Sequence, residues 1–309
     1  MKANRIHRFG SPEVIKLEEA DRPLTGEGEV LIRVEASGVG PWDGWIREGK
    51  SVLPQPLPLT LGSDLSGTIE AVGTGITNFK AGDEVFGVTN PRFIGANAEY
   101  AIASARMIAE KPKGITHIEA ASVPVVAVTA WQMLFDRGGV KRDQTVLILG
   151  AAGNVGSYAV QLAHAAGAQV IASAARDETD YVRSLGAKRV FDGRAQGLPN
   201  DLKDIDVVID AVGGEAQTQS LEALRLGGVL ISAVSQPDQS AASRLGIKAA
   251  FMLVDVTNAA LKSIAELIEA NKLKTNVGAV LDLAELRRAH EMLDVSRLRR
   301  RGKIVIDSA

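Results

Sequence analysis

The stretch from Val146 to Gly156 constrains this chain more than any other. Val146-Leu147-Ile148-Leu149 is fully apolar, and the chain runs from it directly into Gly150-Ala151-Ala152-Gly153-Asn154-Val155-Gly156. A short apolar run suits a strand buried on both faces, the situation of a parallel sheet. Helical periodicity follows: Val155, Ala159, Leu162, Ala163 and Ala166 fall on one face, and Gly167 stands where helices commonly end. Glycine permits a tight strand-to-helix turn, and a turn without side chains lets an anion approach the backbone. The helix start then offers unpaired N–H groups and a partial positive charge. Such a turn is a cradle for the diphosphate of a dinucleotide. Ala151-Ala152 stands where a glycine is common, so the motif draws its weight from the strand, helix and second strand found within about 30 residues.

The same rhythm continues downstream. Strands are expected at Gln169 to Ser173, Arg189 to Phe191, Val207-Val208-Ile209, Val229-Leu230-Ile231 and Ala249 to Leu253, with helices at Asp177 to Leu185 and Gln217 to Leu226. Alternation of this kind makes a doubly wound parallel sheet. Sites specific for NAD place an acid at the end of the second strand, about 20 residues past the turn. Here that stretch reads Ser173-Ala174-Ala175-Arg176, with no acid before Asp177. Ser173 and Arg176, with Arg194 past the third strand, suit a ribose 2′-phosphate, so the expected cofactor is NADPH.

Up to about Ala120 the texture differs. Short apolar or alternating runs broken by Gly and Pro, such as Glu29-Val30-Leu31-Ile32-Arg33-Val34, predict a bent β domain. The apolar stretch from Ala120 to Leu134 is interrupted by Pro124 and reads as a buried helix. Beyond Asn258 come a helix (Leu261 to Ala270), a short strand (Val277 to Val280), a helix (Leu283 to Leu293) and a closing strand, Lys303-Ile304-Val305-Ile306. A completed six-stranded nucleotide sheet has no place for this tail, so it is expected to return to the first domain. The boundaries expected are 1–122 with 259–309 for one domain and 123–258 for the other.

A chain of 309 residues suits two such domains. Net charge is −2, which argues against a nucleic-acid or anionic-membrane partner. No apolar run approaches the ~20 residues that span a bilayer, and no leader peptide is visible at Met1 to Pro12, so a cytoplasmic location is expected. There are no cysteines, which removes disulfides and thiolate zinc sites. His7, His117, His164 and His290 are scattered and are read as structural or surface residues, so no metal site is expected. The basic run Arg297 to Arg301 reads as a solvated helix end.

Several further stretches, taken in order, resemble the medium-chain dehydrogenase/reductase superfamily, specifically its zinc-free quinone oxidoreductase branch. They are Ala36-Ser37-Gly38-Val39-Gly40-Pro41-Trp42-Asp43, Leu61-Gly62-Ser63-Asp64-Leu65-Ser66-Gly67, Gly82-Asp83-Glu84-Val85-Phe86-Gly87, Val128-Thr129-Ala130-Trp131, Asp210-Ala211-Val212-Gly213-Gly214 and Arg301-Gly302-Lys303-Ile304-Val305. The resemblance implies an α/β architecture: a Rossmann doubly wound sheet plus a GroES-like, mostly β catalytic domain. Zinc-dependent relatives carry a cysteine near position 40 and Gly-His-Glu near position 62, where this chain has Gly40 and Gly62-Ser63-Asp64. Without a Lewis acid to hold an alkoxide, reduction of an activated acceptor is favoured over alcohol oxidation.

The implied function is NADPH-dependent reduction of a quinone by hydride transfer. Alternatives are a double-bond reductase of alkenals and enones, or a low-activity NADPH-binding sensor. Implied cofactor contacts are Asp43, Thr129, Gly150, Ala152, Gly153, Asn154, Val155, Gly156, Ser173, Arg176, Arg194, Val212, Val234, Phe251 and Lys303, with Lys303 closing the cleft in which the family holds its cofactor. Gly40, Trp42 and Trp45 are the candidates for the acceptor pocket. The family's tyrosines are replaced by Trp45 and Ser51, which leaves the catalytic proton donor, if any, unassigned. The resemblance also implies a homodimer, with sheets joined along the strand near Ala249.

Overall fold

The computed structural model describes residues 1–194, 197–294 and 301–308. They form two compact units, Met1–Val125 with Val256–Ala309 and Val126–Asp255. Of the basic run, Arg297 to Arg300 lie outside the described residues. Among the described residues, no helix is long and apolar enough to cross a membrane.

The first unit opens with β1 (Lys2–Ile6), β2 (Lys16–Glu19), β3 (Glu29–Val39), α1 (Pro41–Arg47), β4 (Leu59–Thr60), β5 (Asp64–Val72), β6 (Glu84–Val88), β7 (Tyr100–Ser104), β8 (Ile108–Glu110) and α2 (His117–Ala121). The long strand β3 is its spine, pairing antiparallel with β5 and with β7. Register shifts between Leu31/Ile32 and between Val34/Ala36 bend it, which lets one strand serve several neighbours. Gly67 of β5 is needed at this crossing, because a Cβ there would lie 2.1 Å from the Arg33 carbonyl oxygen. The interior is filled by Val30, Ile32, Val34, Leu65, Ile69, Val85 and Ile108. The bent β domain read from the sequence is thus present.

Helix α3 (Pro124–Trp131) carries the chain onward, followed by a π-helical turn, Gln132–Arg137. The single helix expected from Ala120 to Leu134 is therefore three pieces. Pro124 lacks an N–H and cannot continue α2, but it starts a new helix without loss.

The second unit then alternates: β9 (Thr145–Leu149), α4 (Asn154–Ala165), β10 (Gln169–Ala174), α5 (Thr179–Ser184), β11 (Arg189–Asp192), β12 (Ile205–Asp210), α6 (Gly214–Leu221), β13 (Leu224–Ser232), α7 (Gln239–Leu245) and β14 (Lys248–Phe251). These strands form one sheet in the order β11-β10-β9-β12-β13-β14, parallel throughout. This is the doubly wound sheet anticipated. The helix expected from Gln217 to Leu226 ends at Leu221, and Leu224 to Leu226 already belong to β13. Leu224 pairs with Ile205, so the sheet captures residues whose apolar spacing also fits a helix.

The tail comprises α8 (Asn258–Glu269), β15 (Val277–Asp282), α9 (Leu286–Asp294) and β16 (Lys303–Asp307). Thr257 caps α8 by accepting from the Ala260 N–H at 3.3 Å, and Ala260, Leu261, Ile264 and Ile268 form its buried face. β16 pairs antiparallel with β3, so the tail completes the sheet of the first unit.

Candidate functional site

The order of the parallel sheet turns back between β9 and β12, and open α/β sheets bind ligands at the carboxyl ends of strands on either side of such a point. The glycine-rich turn sits there. Gly150 follows β9 with φ +76°, a conformation that favours glycine. Its N–H donates to the Ser173 hydroxyl at 3.1 Å, and the Ala151 N–H donates to the Ser173 carbonyl at 2.9 Å, so the end of β10 braces the turn. The Gly153 N–H closes back onto the Gly150 carbonyl at 3.0 Å.

Gly153 is the N-cap of α4 and supplies no side chain to cap it. The first intrahelical donor is the Ser157 N–H, to the Gly153 carbonyl at 2.9 Å. The amides of Asn154, Val155 and Gly156 thus precede the helical ladder and are the helix's orphan donors. Ala152, Asn154 and Val155 are half-buried and Gly153 is exposed, so this stretch of backbone is open to a ligand. At Gly156 a Cβ would lie 2.2 Å from the Gly150 carbonyl oxygen, which makes glycine obligatory where helix meets turn. The turn touches the loop after β12, since a Cβ on Gly150 would lie 2.7 Å from a Val212 methyl.

That second loop is shaped by Asp210, which the sequence reading missed as a functional position. Asp210 is fully buried at the end of β12. Its Oδ1 accepts from the N–H groups of Val212 (3.0 Å) and Gly213 (2.8 Å). Its Oδ2 accepts from Gln217 (2.8 Å) and the Ser232 hydroxyl (2.7 Å). Ser232 in turn accepts from the N–H groups of Val234 and Ser235. One carboxylate thereby fixes the loops after β12 and β13. They present Val212 and Val234 half in solvent, and Phe251 is exposed at the end of β14. The available signal was an acid closing the apolar run Val207-Val208-Ile209.

Arg176 and Arg194 are exposed just past the ends of β10 and β11, adjacent parallel strands. Among the described residues neither is held in a salt bridge. Gly193 brings the second of them close, because a Cβ there would lie 3.1 Å from that of Ser173. Ser173 itself is buried, and Thr129 is buried in α3.

The candidates in the first unit gather around α1. Gly40 precedes it, and a Cβ on Gly40 would lie 2.3 Å from the Trp42 ring. Trp42 is half-buried, its Nε1 donating to the Ser63 hydroxyl at 3.0 Å, while Trp45 is 55% exposed. The indole therefore covers Gly40 and Ser63, the two positions where zinc-dependent relatives carry ligand side chains.

Two residues expected as cofactor contacts are engaged inside the first unit. Asp43 is fully buried and closes the turn into α1, its Oδ2 accepting from the Gly40 N–H at 2.7 Å. Its Oδ1 has no partner, and burial pushes its carboxyl up to about 7. Lys303 is 1% exposed and gives its ammonium group to Asp64 at 2.6 Å. Neither side chain offers surface to a ligand, because each is spent inside the first unit.

The histidines are apart from one another. His7 meets Glu18, His117 meets the Ser66 hydroxyl, and His164 packs beneath Gly186. His290 is buried, its Nδ1 meeting Arg47 at 3.2 Å. Among the described residues no cluster of three or more His, Cys, Asp or Glu is placed to hold a metal.

Residues 26–113 match the family model described as alcohol dehydrogenase GroES-like domain, and residues 185–306 that of zinc-binding dehydrogenase. The chain is 30% identical over 353 residues to the NAD(P)H oxidoreductase RTN4IP1, mitochondrial, of Danio rerio, covering 99% of this chain and 91% of that protein. It is 32% identical to the quinone oxidoreductase of Sus scrofa, covering 96% and 95%. The crystal structure of Escherichia coli quinone oxidoreductase complexed with NADPH superposes over the whole of both chains with a TM-score of 0.89 at 26% identity.

Proposed function

The chain belongs to the medium-chain dehydrogenase/reductase superfamily, as a zinc-free, quinone oxidoreductase-like member, and from that premise we propose that it is an NADPH-dependent enzyme that reduces quinones. The observation that carries this reading is the Gly150–Gly156 turn. Gly150 and Gly156 cannot bear side chains without striking Val212 or backbone, and the orphan amides of α4 begin beside the turn.

A nicotinamide dinucleotide fits these residues. The amides of Asn154, Val155 and Gly156 would hold its diphosphate. Val212, Val234 and Phe251 supply apolar surface to its rings, and Thr129 a hydroxyl. Ser173 keeps the turn in shape. Arg176 and Arg194, free of ion pairs among the described residues, would take the 2′-phosphate, which favours NADPH over NADH. When bound, the reduced nicotinamide supplies a hydride.

The chain's own contribution is positioning and exclusion of water. Trp42 and Trp45 are the acceptor contacts, flat apolar surfaces suited to a quinone ring. A quinone needs no protein acid here, because water can protonate its hydroquinone anion. A cytoplasmic location and a homodimer joined along β14, the end strand of the parallel sheet, complete the proposal.

The test is steady-state NADPH oxidation with 1,2-naphthoquinone and with 2-hexenal. The expected result is turnover with the quinone at least tenfold above that with the alkenal. A preference for 2-hexenal would assign a double-bond reductase, and binding without turnover a sensor.

A further inference from the structure

Lys303 is the one lysine found fully buried among the described residues. Isolating an ammonium group from water is costly unless it is paired and hydrogen-bonded. Two partners offset the cost. Asp64 Oδ2 lies 2.6 Å from its Nζ, and the Trp42 ring centroid lies 4.0 Å from it. Asp64 is itself fixed, its Oδ1 accepting from the Val125 N–H at 3.0 Å. The backbone has made room for the pair: a Cβ on Gly38 would lie 2.9 Å from Lys303 Cε and 3.0 Å from Asp64 Cβ. A lysine so enclosed cannot bind a phosphate without breaking a buried ion pair.

The indole is held at three places. Lys303 sits over its ring, Ser63 takes its Nε1–H at 3.0 Å, and Gly40 lies beneath it with no room for a methyl group. Trp42 as a residue is nevertheless only half-buried. An ordinary packing tryptophan needs no buried charge to seat it. Hydrophobic side chains at both 303 and 64 would fill the same volume at no electrostatic cost. What the ion pair adds is a fixed position for a cation, and through it a fixed plane for the ring.

We propose that Lys303 is a positioning residue of the acceptor site, anchored by Asp64 so that it clamps Trp42 as the surface against which the acceptor ring lies. This rests on the reading of the protein as a reductase of flat acceptors, and it assigns Lys303 to the acceptor rather than to the cofactor. It makes the Asp64–Lys303–Trp42 stack the element that selects planar acceptors over flexible ones.

Lys303→Met keeps length and apolar bulk but removes the charge. In the otherwise unchanged chain it should raise the KM for 1,2-naphthoquinone about tenfold and leave the KM for NADPH within twofold. Lys303→Arg should recover part of the loss. A rise in the NADPH KM with the quinone KM unchanged would make Lys303 a cofactor ligand and overturn the proposal. A second readout needs no turnover. With Trp45 and Trp131 replaced by Phe, emission reports Trp42 alone, and Lys303→Met should shift it and increase its quenching by acrylamide. Unchanged emission and quenching would defeat the clamp even if quinone reduction proved correct. A shift without any quinone turnover would leave the clamp standing and defeat the reductase reading instead. Ser63→Ala, which spares the ion pair, should give the same KM split at smaller size, and an unchanged quinone KM in that variant also counts against the proposal.

Discussion

Replacing Asp43 with Asn should make the protein less sensitive to pH. The carboxyl is fully buried, one oxygen takes the Gly40 N–H, and the other has no partner. Burial raises it from 3.8 to about 7, against the lowering effects of the Gly40 bond and the Lys303 charge. The folded value lies above the unfolded one, so between them the native state holds a proton that the unfolded chain has released. Stability contributed by the neutral acid is complete below pH 3.8 and is lost as pH rises through 7. At about 1.4 kcal/mol per pH unit, the roughly three-unit window corresponds to about 4 kcal/mol. Asn keeps an acceptor for Gly40 and does not titrate. Urea unfolding of both proteins at pH 4, 5.5, 7 and 8.5 should show the variant gaining about 4 kcal/mol on the parent between pH 4 and 7, with no further change above. A difference that stayed constant across that range would show Asp43 to be ionised in the native state and refute the reasoning.

His290 slopes the other way. Burial and the Arg47 charge lower its ring to about 3, so only the unfolded chain protonates between pH 6.5 and 3, and stability falls as pH drops through that window. Its ring resonances should stay fixed in NMR spectra from pH 8 to 5. At Gly156, Ala would place a methyl 2.2 Å from a backbone oxygen that cannot yield, so Gly156→Ala should cost about 3 kcal/mol by thermal unfolding. Arg176→Ala should raise the KM for NADPH at least tenfold more than that for NADH, and equal effects would remove Arg176 from the 2′-phosphate.

What the sequence made legible is what local chemistry dictates. Apolar strand, bare turn and periodic helix from Val146 to Gly167 announced themselves, because each element obeys its own short-range rule. The bent β domain was visible in its Gly-punctuated strands. The end of α6 was not, since Leu221 and Leu224 are spaced for one helix face until Ile205 captures Leu224 into the sheet. In the site, Gly150 and Gly156 could be read from spacing alone. Lys303 could not, because its role depends on Asp64 and Trp42 meeting it from elements distant in sequence, and the burial of Asp43 over its local bond to Gly40 was equally hidden. A charged residue beside a motif reads as a ligand contact until its burial and its partner are seen.

Whether the turn after β9 holds a diphosphate is decided by titrating NADPH into the parent protein and into Gly153→Asp by calorimetry. Gly153 has an ordinary φ and is an N-cap, a position Asp favours, so the variant should fold. Its carboxylate would occupy the place of the diphosphate. One NADPH should bind per parent chain, and binding to the folded variant should be at least a hundredfold weaker. Equal binding by the two proteins, or none by the parent, would mean that the turn holds no diphosphate.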